Sequence, residues 1–99
     1  MTERLTPQAR ETDLKTLLEG GWELDESRDA ISKMFKFKNF VDAFGWMTRT
    51  AIWAEKWNHH PEWFNVYNRV EVVMTTHDAN GVTNLDVEMA TFMNDITGT

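Results

Sequence analysis

Trp63-Phe64-Asn65-Val66-Tyr67-Asn68-Arg69-Val70-Glu71-Val72-Val73-Met74 decides the fold. Trp63 to Tyr67 is aromatic and β-branched. The second half alternates, with Val70, Val72 and Met74 set against Arg69, Glu71, Val73 and Thr75. Successive side chains of a strand point to opposite faces, so the stretch predicts two strands with Asn68 as a turn or bulge between them. An earlier stretch repeats the arrangement. Trp22 to Leu24 is short and alternating, and Asp25-Glu26-Ser27-Arg28-Asp29 reads as a turn. Ile31 to Phe37 then places Ile31, Lys33, Phe35 and Phe37 opposite Ser32, Met34 and Lys36. Two hairpins are predicted.

Helices fill the intervals. Thr6 can cap a helix that has Pro7 at its first position, Leu14, Leu17 and Leu18 as its apolar stripe, and Gly20-Gly21 at its end. Asn39 can cap a long helix running to about Trp57. On it, Phe40, Phe44, Met47, Ala51 and Ala54 share one face, and Val41, Thr48, Ile52 and Glu55 an adjacent one. Two such faces fit either a central core helix or a helix packed on a second subunit. Pro61 disfavours helix at His60 and ends this segment. Asp78-Ala79-Asn80-Gly81 is a turn signal. Thr83 can cap a last helix with Leu85, Met89, Phe92 and Ile96 as its stripe. Asp86 lies at its third position, where a carboxylate can reach back to the cap amide. The order α-β-β-α-β-β-α predicts an α+β fold: a four-stranded antiparallel sheet with helices packed on one face, formed as a single domain over residues 1–99.

Composition narrows the function. The formal net charge is −6 and no basic cluster is visible, which argues against nucleic-acid binding. The absence of cysteine excludes disulfides and thiolate chemistry. No apolar stretch approaches the roughly 20 residues that span a bilayer, and Met1-Thr2-Glu3-Arg4 leads into no apolar signal region. A cytoplasmic protein with no membrane association is expected. A domain this small has little stability margin, so self-association is expected too.

The chemistry concentrates in Glu55-Lys56-Trp57-Asn58-His59-His60-Pro61-Glu62-Trp63. Histidine exchanges protons near neutrality, with an unperturbed pKa of about 6.5. The chain has three histidines, and the third, His77, opens a turn after a strand. Scarce proton-transfer groups at two chain reversals point to an acid/base site; the bland alternative is a pair of surface loops. His59, His60, His77 and Asp78 carry enough donor atoms for zinc, but adjacent histidines diverge and no His-x-x-x-His spacing is present. No metal is expected.

Glu55-Lys56, then His59-His60-Pro61-Glu62-Trp63-Phe64-Asn65-Val66-Tyr67-Asn68, then Thr76-His77-Asp78 with Gly81, resemble the pterin-4a-carbinolamine dehydratase family. Arg28-Asp29-Ala30-Ile31 and Phe44-Gly45-Trp46-Met47-Thr48-Arg49 resemble it as well, so the likeness runs from Gly21 to Phe92. It implies a hydro-lyase that converts 4a-hydroxytetrahydrobiopterin to quinonoid dihydropterin and water, without a cofactor. It also implies a homodimer or homotetramer, working in tetrahydrobiopterin recycling beside an aromatic amino acid hydroxylase.

The resemblance implies catalytic roles for His59, His60, His77 and Glu55, and pterin contacts from Asn58, His59, His60, Trp63, Thr75, Thr76, His77, Asp78 and Asp86. Side chains of extended neighbours diverge. His59 and His77 are therefore expected to do the acid/base work, and His60 to orient the pterin. Glu55, about one turn before His59, can fix an imidazole tautomer. Trp63 can stack on the pterin or pack under the loop. One departure stands out: the family often has an acidic residue where this chain has Asn58, which carries no charge or acidic proton near neutrality. A mammalian member doubles as a dimerisation cofactor of a transcription regulator, so the resemblance also implies an alternative role as an interaction module.

Overall fold

The computed structural model describes residues 3–97; of the span expected to form one domain, Met1, Thr2, Gly98 and Thr99 lie outside the described residues. Helix α1 covers residues 7–19. The Thr6 hydroxyl accepts from the Ala9 amide at 3.1 Å, and Pro7 lies in the first turn. Its middle segment, Arg10–Leu14, is π-helical between α-helical Pro7–Ala9 and Lys15–Glu19, which the leucine spacing does not foretell. Gly21, at φ +107°, turns the chain into β1 (Glu23–Asp25).

Strand β2 (Ala30–Lys36) is followed by α2 (Phe40–Lys56), where the Asn39 side chain accepts from the Asp42 amide at 2.8 Å. Strands β3 (Glu62–Val66) and β4 (Arg69–Met74) are joined through Tyr67 and Asn68, with Tyr67 at φ +51°. A single 3₁₀ turn, His77–Ala79, leads to α3 (Asn84–Asp95).

The sheet is antiparallel throughout, in the order β1-β2-β4-β3. Its register pairs Ile31 with Met74, Phe35 with Val70 and Trp63 with Val72. Period-2 alternation puts those six residues on one face, where they meet Leu14, Leu17, Trp22, Trp46, Met89 and Met93 in one core. The alternation of Ile31–Phe37 and of 69–75 is thus the pattern that selects the helix-covered face. Lys33 also belongs to that face. Its ammonium donates to the Gly20 carbonyl and to Asn94 Oδ1, both at 2.9 Å, and lies 4.8 Å from the centre of the Phe35 ring. Burial lowers its pKa. The lysine ties the ends of α1 and α3 to β2.

The inward face of α2 is rotated from its sequence reading, and that of α3 keeps Met89, Phe92 and Ile96 against the core but adds Ala90 and Met93. In α2 the buried residues are Ala43, Trp46, Thr50 and Ala54. Phe40, Val41, Phe44 and Ile52 face solvent, Phe44 at 52 % and Ile52 at 56 % exposure. Shape decides this. Small residues flank Trp46 and let its ring reach Phe35, Phe37 and Trp63 at centroid distances of 4.6, 5.3 and 6.3 Å, while its indole N–H donates to the Met93 carbonyl at 3.1 Å. Burying one tryptophan stabilises by about 4–6 kcal/mol, more than any single aliphatic alternative on this helix. In α3, Met89, Ala90 and Met93 are buried beside Asp86, and Leu85, Phe92 and Ile96 only partly so. Among the described residues no helix is long and apolar enough to cross a membrane.

Candidate active site

The end of α2 delivers the first histidine to a fixed place. Asn58 is left-handed, at φ +51°. Its amide donates to the Glu55 carbonyl at 3.3 Å, and the His59 amide to the Ala54 carbonyl at 3.0 Å. These are the two bonds of a Schellman cap, whose left-handed position favours glycine and, next, asparagine. The backbone therefore accounts for Asn58 without any need for charge there.

His59 points toward the start of α3. Its Nε2 lies 2.6 Å from Asp86 Oδ1, and the Asp86 side chain is 0 % exposed. The other Asp86 oxygen accepts from the Thr83 amide at 2.9 Å and the Thr76 hydroxyl at 2.8 Å. With the Thr76 proton committed there, Thr83 donates in the 2.7 Å hydroxyl–hydroxyl contact. Thr83 in turn accepts from the Leu85 amide at 3.2 Å. Every donor in this buried network has an acceptor. A carboxylate only accepts, so opposite it His59 is the donor, through Nε2–H. Asp86 also closes the capping box of α3, as its helix position predicts.

Each remaining histidine has its own carboxylate. His60 Nε2 meets Glu55 Oε1 at 2.9 Å on the exposed rim, so Glu55 serves His60 and Asp86 serves His59. His77 Nε2 meets Glu62 Oε2 at 2.9 Å. Arg28 grips both Glu62 oxygens at 3.0 and 2.8 Å. These bonds, Arg28 first and His77 second, pull the Glu62 carboxyl down to about 2.

A cleft of about 430 Å³ brings together Asn58, His59, His60, Thr75, Thr76, His77 and Asp78, walled by Trp57 and Leu85. Asp86 lies beneath it, bonded to His59. Trp63 is not among its lining residues; it packs on Trp46 from the inner face of the sheet. Thr76 has its hydroxyl, amide and carbonyl all engaged within the protein, the last two with Gly81. Sequence reasoning missed Trp57, Leu85, Glu62 and Arg28. Trp57 and Glu62 belong to the same run as the histidines, but only the fold shows which side chains converge. Among the described residues no cluster of three or more His, Asp or Glu is arranged to hold a metal ion.

Fold and site together define a class: a small α+β domain in which histidine–carboxylate pairs border one open cleft. The chain matches the pterin 4 alpha carbinolamine dehydratase family over residues 3–96. A protein of Roseobacter denitrificans bearing the family's name is 59% identical over 98 residues, spanning 99% of this chain and 100% of that one. One from Ruegeria pomeroyi, named likewise, is 54% identical over 96 residues, spanning 97% and 99%. The crystal structure of a transcriptional coactivator/pterin dehydratase from Brucella melitensis has a TM-score of 0.89 at 51% identity, covering 97% of this chain and 100% of that chain. This chain belongs to the pterin-4-alpha-carbinolamine dehydratase family.

Proposed function

We propose that the chain dehydrates 4a-hydroxytetrahydrobiopterin to the quinonoid dihydropterin by histidine acid/base catalysis, recycling the pterin used by an aromatic amino acid hydroxylase. The observation that carries this reading is the pairing of His59 and His77, on one cleft, each with Nε2 bound to a carboxylate. In the reaction the C4a–O bond breaks and the oxygen leaves as water, taking a proton from an imidazolium. The N5–H proton passes to a neutral imidazole, and the electrons of that bond become the C4a=N5 π bond. Atoms and charge balance without an oxidant or a metal. A positioned acid or base typically contributes about 10²–10⁴-fold. His60, on the rim with Glu55, orients the pterin, and the backbone of Thr75, His77 and Asp78 offers groups to its ring edge.

The test is dehydration of a hydroxylase-generated carbinolamine. His59→Ala and His77→Ala should each lower kcat by about 10²-fold or more with the circular dichroism spectrum unchanged. The double variant should lose less than the product of the two single losses, because the groups act as a unit. Single variants that turn over like the wild type would refute the assignment.

A second reading concerns α2, whose exposed Phe40, Val41, Phe44 and Ile52 lie on a helix face that the chain's own sheet does not cover. We infer that this face packs on a second copy, giving a homodimer or a dimer of dimers. A transcription-regulator partner on the same face is the alternative, in line with the coactivator name of the Brucella melitensis protein.

A further inference from the structure

His77 is the least constrained of the histidines. Its side chain is 75 % exposed, on a single 3₁₀ turn. It lines two clefts: the one shared with His59, and a neighbour of about 400 Å³ that includes Ser27, Arg28 and Asn80. Packing does not choose between them. What holds its ring is the hydrogen bond from Nε2 to Glu62.

Glu62 would be a poor anchor by itself, since it is 40 % exposed at the start of edge strand β3. Arg28 supplies what is missing. A guanidinium that meets both carboxylate oxygens fixes the plane of the carboxylate as well as its position. Arg28 is itself set by its turn. Asp25 Oδ1 accepts from the Ser27 amide at 3.0 Å, the Ser27 hydroxyl at 2.7 Å and the Arg28 amide at 3.3 Å. The next residue, Asp29, is gripped by Arg10 at 2.9 and 2.7 Å and accepts from the Val82 amide at 3.1 Å. The turn between β1 and β2, the first residue of β3 and the 3₁₀ turn thus converge on one imidazole.

We propose that Glu62 and Arg28 are positioning residues for His77: Arg28 locks the Glu62 carboxylate, and Glu62 holds His77 by Nε2–H, leaving Nδ1 to exchange a proton with the ligand. This rests on the acid/base role of His77 proposed above. Glu62 stays ionised throughout the range in which a histidine works, so it remains an acceptor there. An exposed ion pair contributes little to stability. The arrangement therefore bears on orientation, and it separates from a merely structural role by experiment.

The test combines ¹⁵N NMR of the His77 ring with steady-state kinetics. The wild type should show the Nε2–H tautomer. Glu62→Ala should show a mixture, with kcat lower by about 10- to 100-fold and KM changed far less. Its melting temperature should stay within about 3 °C of the wild type. Glu62→Gln keeps an acceptor for Nε2–H and should restore the tautomer and much of kcat. Arg28→Lys loses the bidentate grip and should fall between them, and Arg28→Ala/Glu62→Ala should be no slower than Glu62→Ala alone. An unchanged tautomer in Glu62→Ala, or an unchanged kcat, overturns the proposal. If the wild type fails to dehydrate the carbinolamine, the functional reading falls, and the NMR result alone then decides whether Glu62 holds His77.

Discussion

Replacing Asp86 with asparagine separates the chemistry of the buried carboxylate from its size. Asp86 receives three donors: the Thr83 amide and Thr76 hydroxyl on one oxygen and His59 Nε2 on the other. An asparagine side chain has one oxygen and one NH₂. The Thr83 amide cannot turn away, because it is held at the start of α3. The new oxygen therefore stays with Thr83 and Thr76, and the NH₂ faces His59. Two N–H groups cannot share a 2.6 Å contact. His59 must then shift its proton from Nε2 to Nδ1, and Nδ1 is no longer a base. Loss of a base through the wrong tautomer costs about 10²–10⁴-fold in kcat.

The fold should bear the change. Charge-assisted bonds become neutral ones, at a cost of about 2 kcal/mol, which lowers the melting temperature by about 10 °C in a domain of this size. Asp86→Ala would cost more, about 4 kcal/mol, because buried donors lose their acceptor. Stopped-flow dehydration measures the chemistry, ¹⁵N NMR of His59 the tautomer, and calorimetry the stability. Met89→Ala is the control: a core truncation that costs about 2–5 kcal/mol without touching the cleft. It should keep kcat at temperatures where it is folded. An Asp86→Asn protein with wild-type kcat, or with His59 still protonated on Nε2, would refute the reasoning.

Other outcomes follow from single contacts. Asn58→Val forces a β-branched residue to φ +51° and should destabilise by about 1–2 kcal/mol, whereas Asn58→Gly should melt within a few degrees of the wild type. Ile52→Glu, on the exposed face of α2, should dissociate the assembly in a light-scattering dilution series; a wild type that is monomeric at every concentration would sink the self-association reading. Glu62 has a folded pKa of about 2 against an ordinary value near 4.5, so its stabilising contribution is complete above about 4.5 and fades as pH falls toward about 2. Melting curves of wild type and Glu62→Gln should therefore converge at the acid end and separate slightly above pH 4.5, the gap being small because the group is exposed.

The sheet was legible because alternation at Ile31–Phe37 and at 69–75 has only one period that fits, and a one-residue slip would bury Lys36 and Glu71 in place of Phe35 and Val70. The helix starts were legible because Thr6, Asn39 and Thr83 are local caps whose bonds stay within three residues. The inward face of α2 was not. Hydropathy weighs Phe40 and Phe44 as heavily as Trp46, yet contact with the sheet rewards a large ring flanked by small neighbours. The cleft was legible in outline. His59, His60, His77 and the 75–78 segment do line one cavity, though their selection leaned on the family likeness more than on spacing. Which carboxylate meets which imidazole was hidden. Glu55 reaches His60 only because of the left-handed cap at Asn58, and Glu62 finds Arg28 only through the sheet. Both depend on tertiary approach, to which a linear pattern is blind.

The three pairs differ most in their exposure, and that difference bears on division of labour. His59 and Asp86 are shut away, with side chains 10% and 0% exposed. A buried hydrogen-bonded pair has one geometry, because each alternative leaves a donor without an acceptor. His60 with Glu55, and His77 with Glu62, stand in solvent, the imidazoles 56% and 75% exposed, open to proton exchange with water. A dehydratase that gives a proton to one atom and takes one from another needs both kinds of group: a base whose tautomer does not wander, and an acid that is recharged quickly. Asp86 binds the first requirement to the fold itself. The carboxylate that orients His59 is the same one that caps α3, so the helix cannot start elsewhere without releasing the imidazole. In the mechanism proposed above, that coupling suits His59 to the base's part, because it has the least freedom to move.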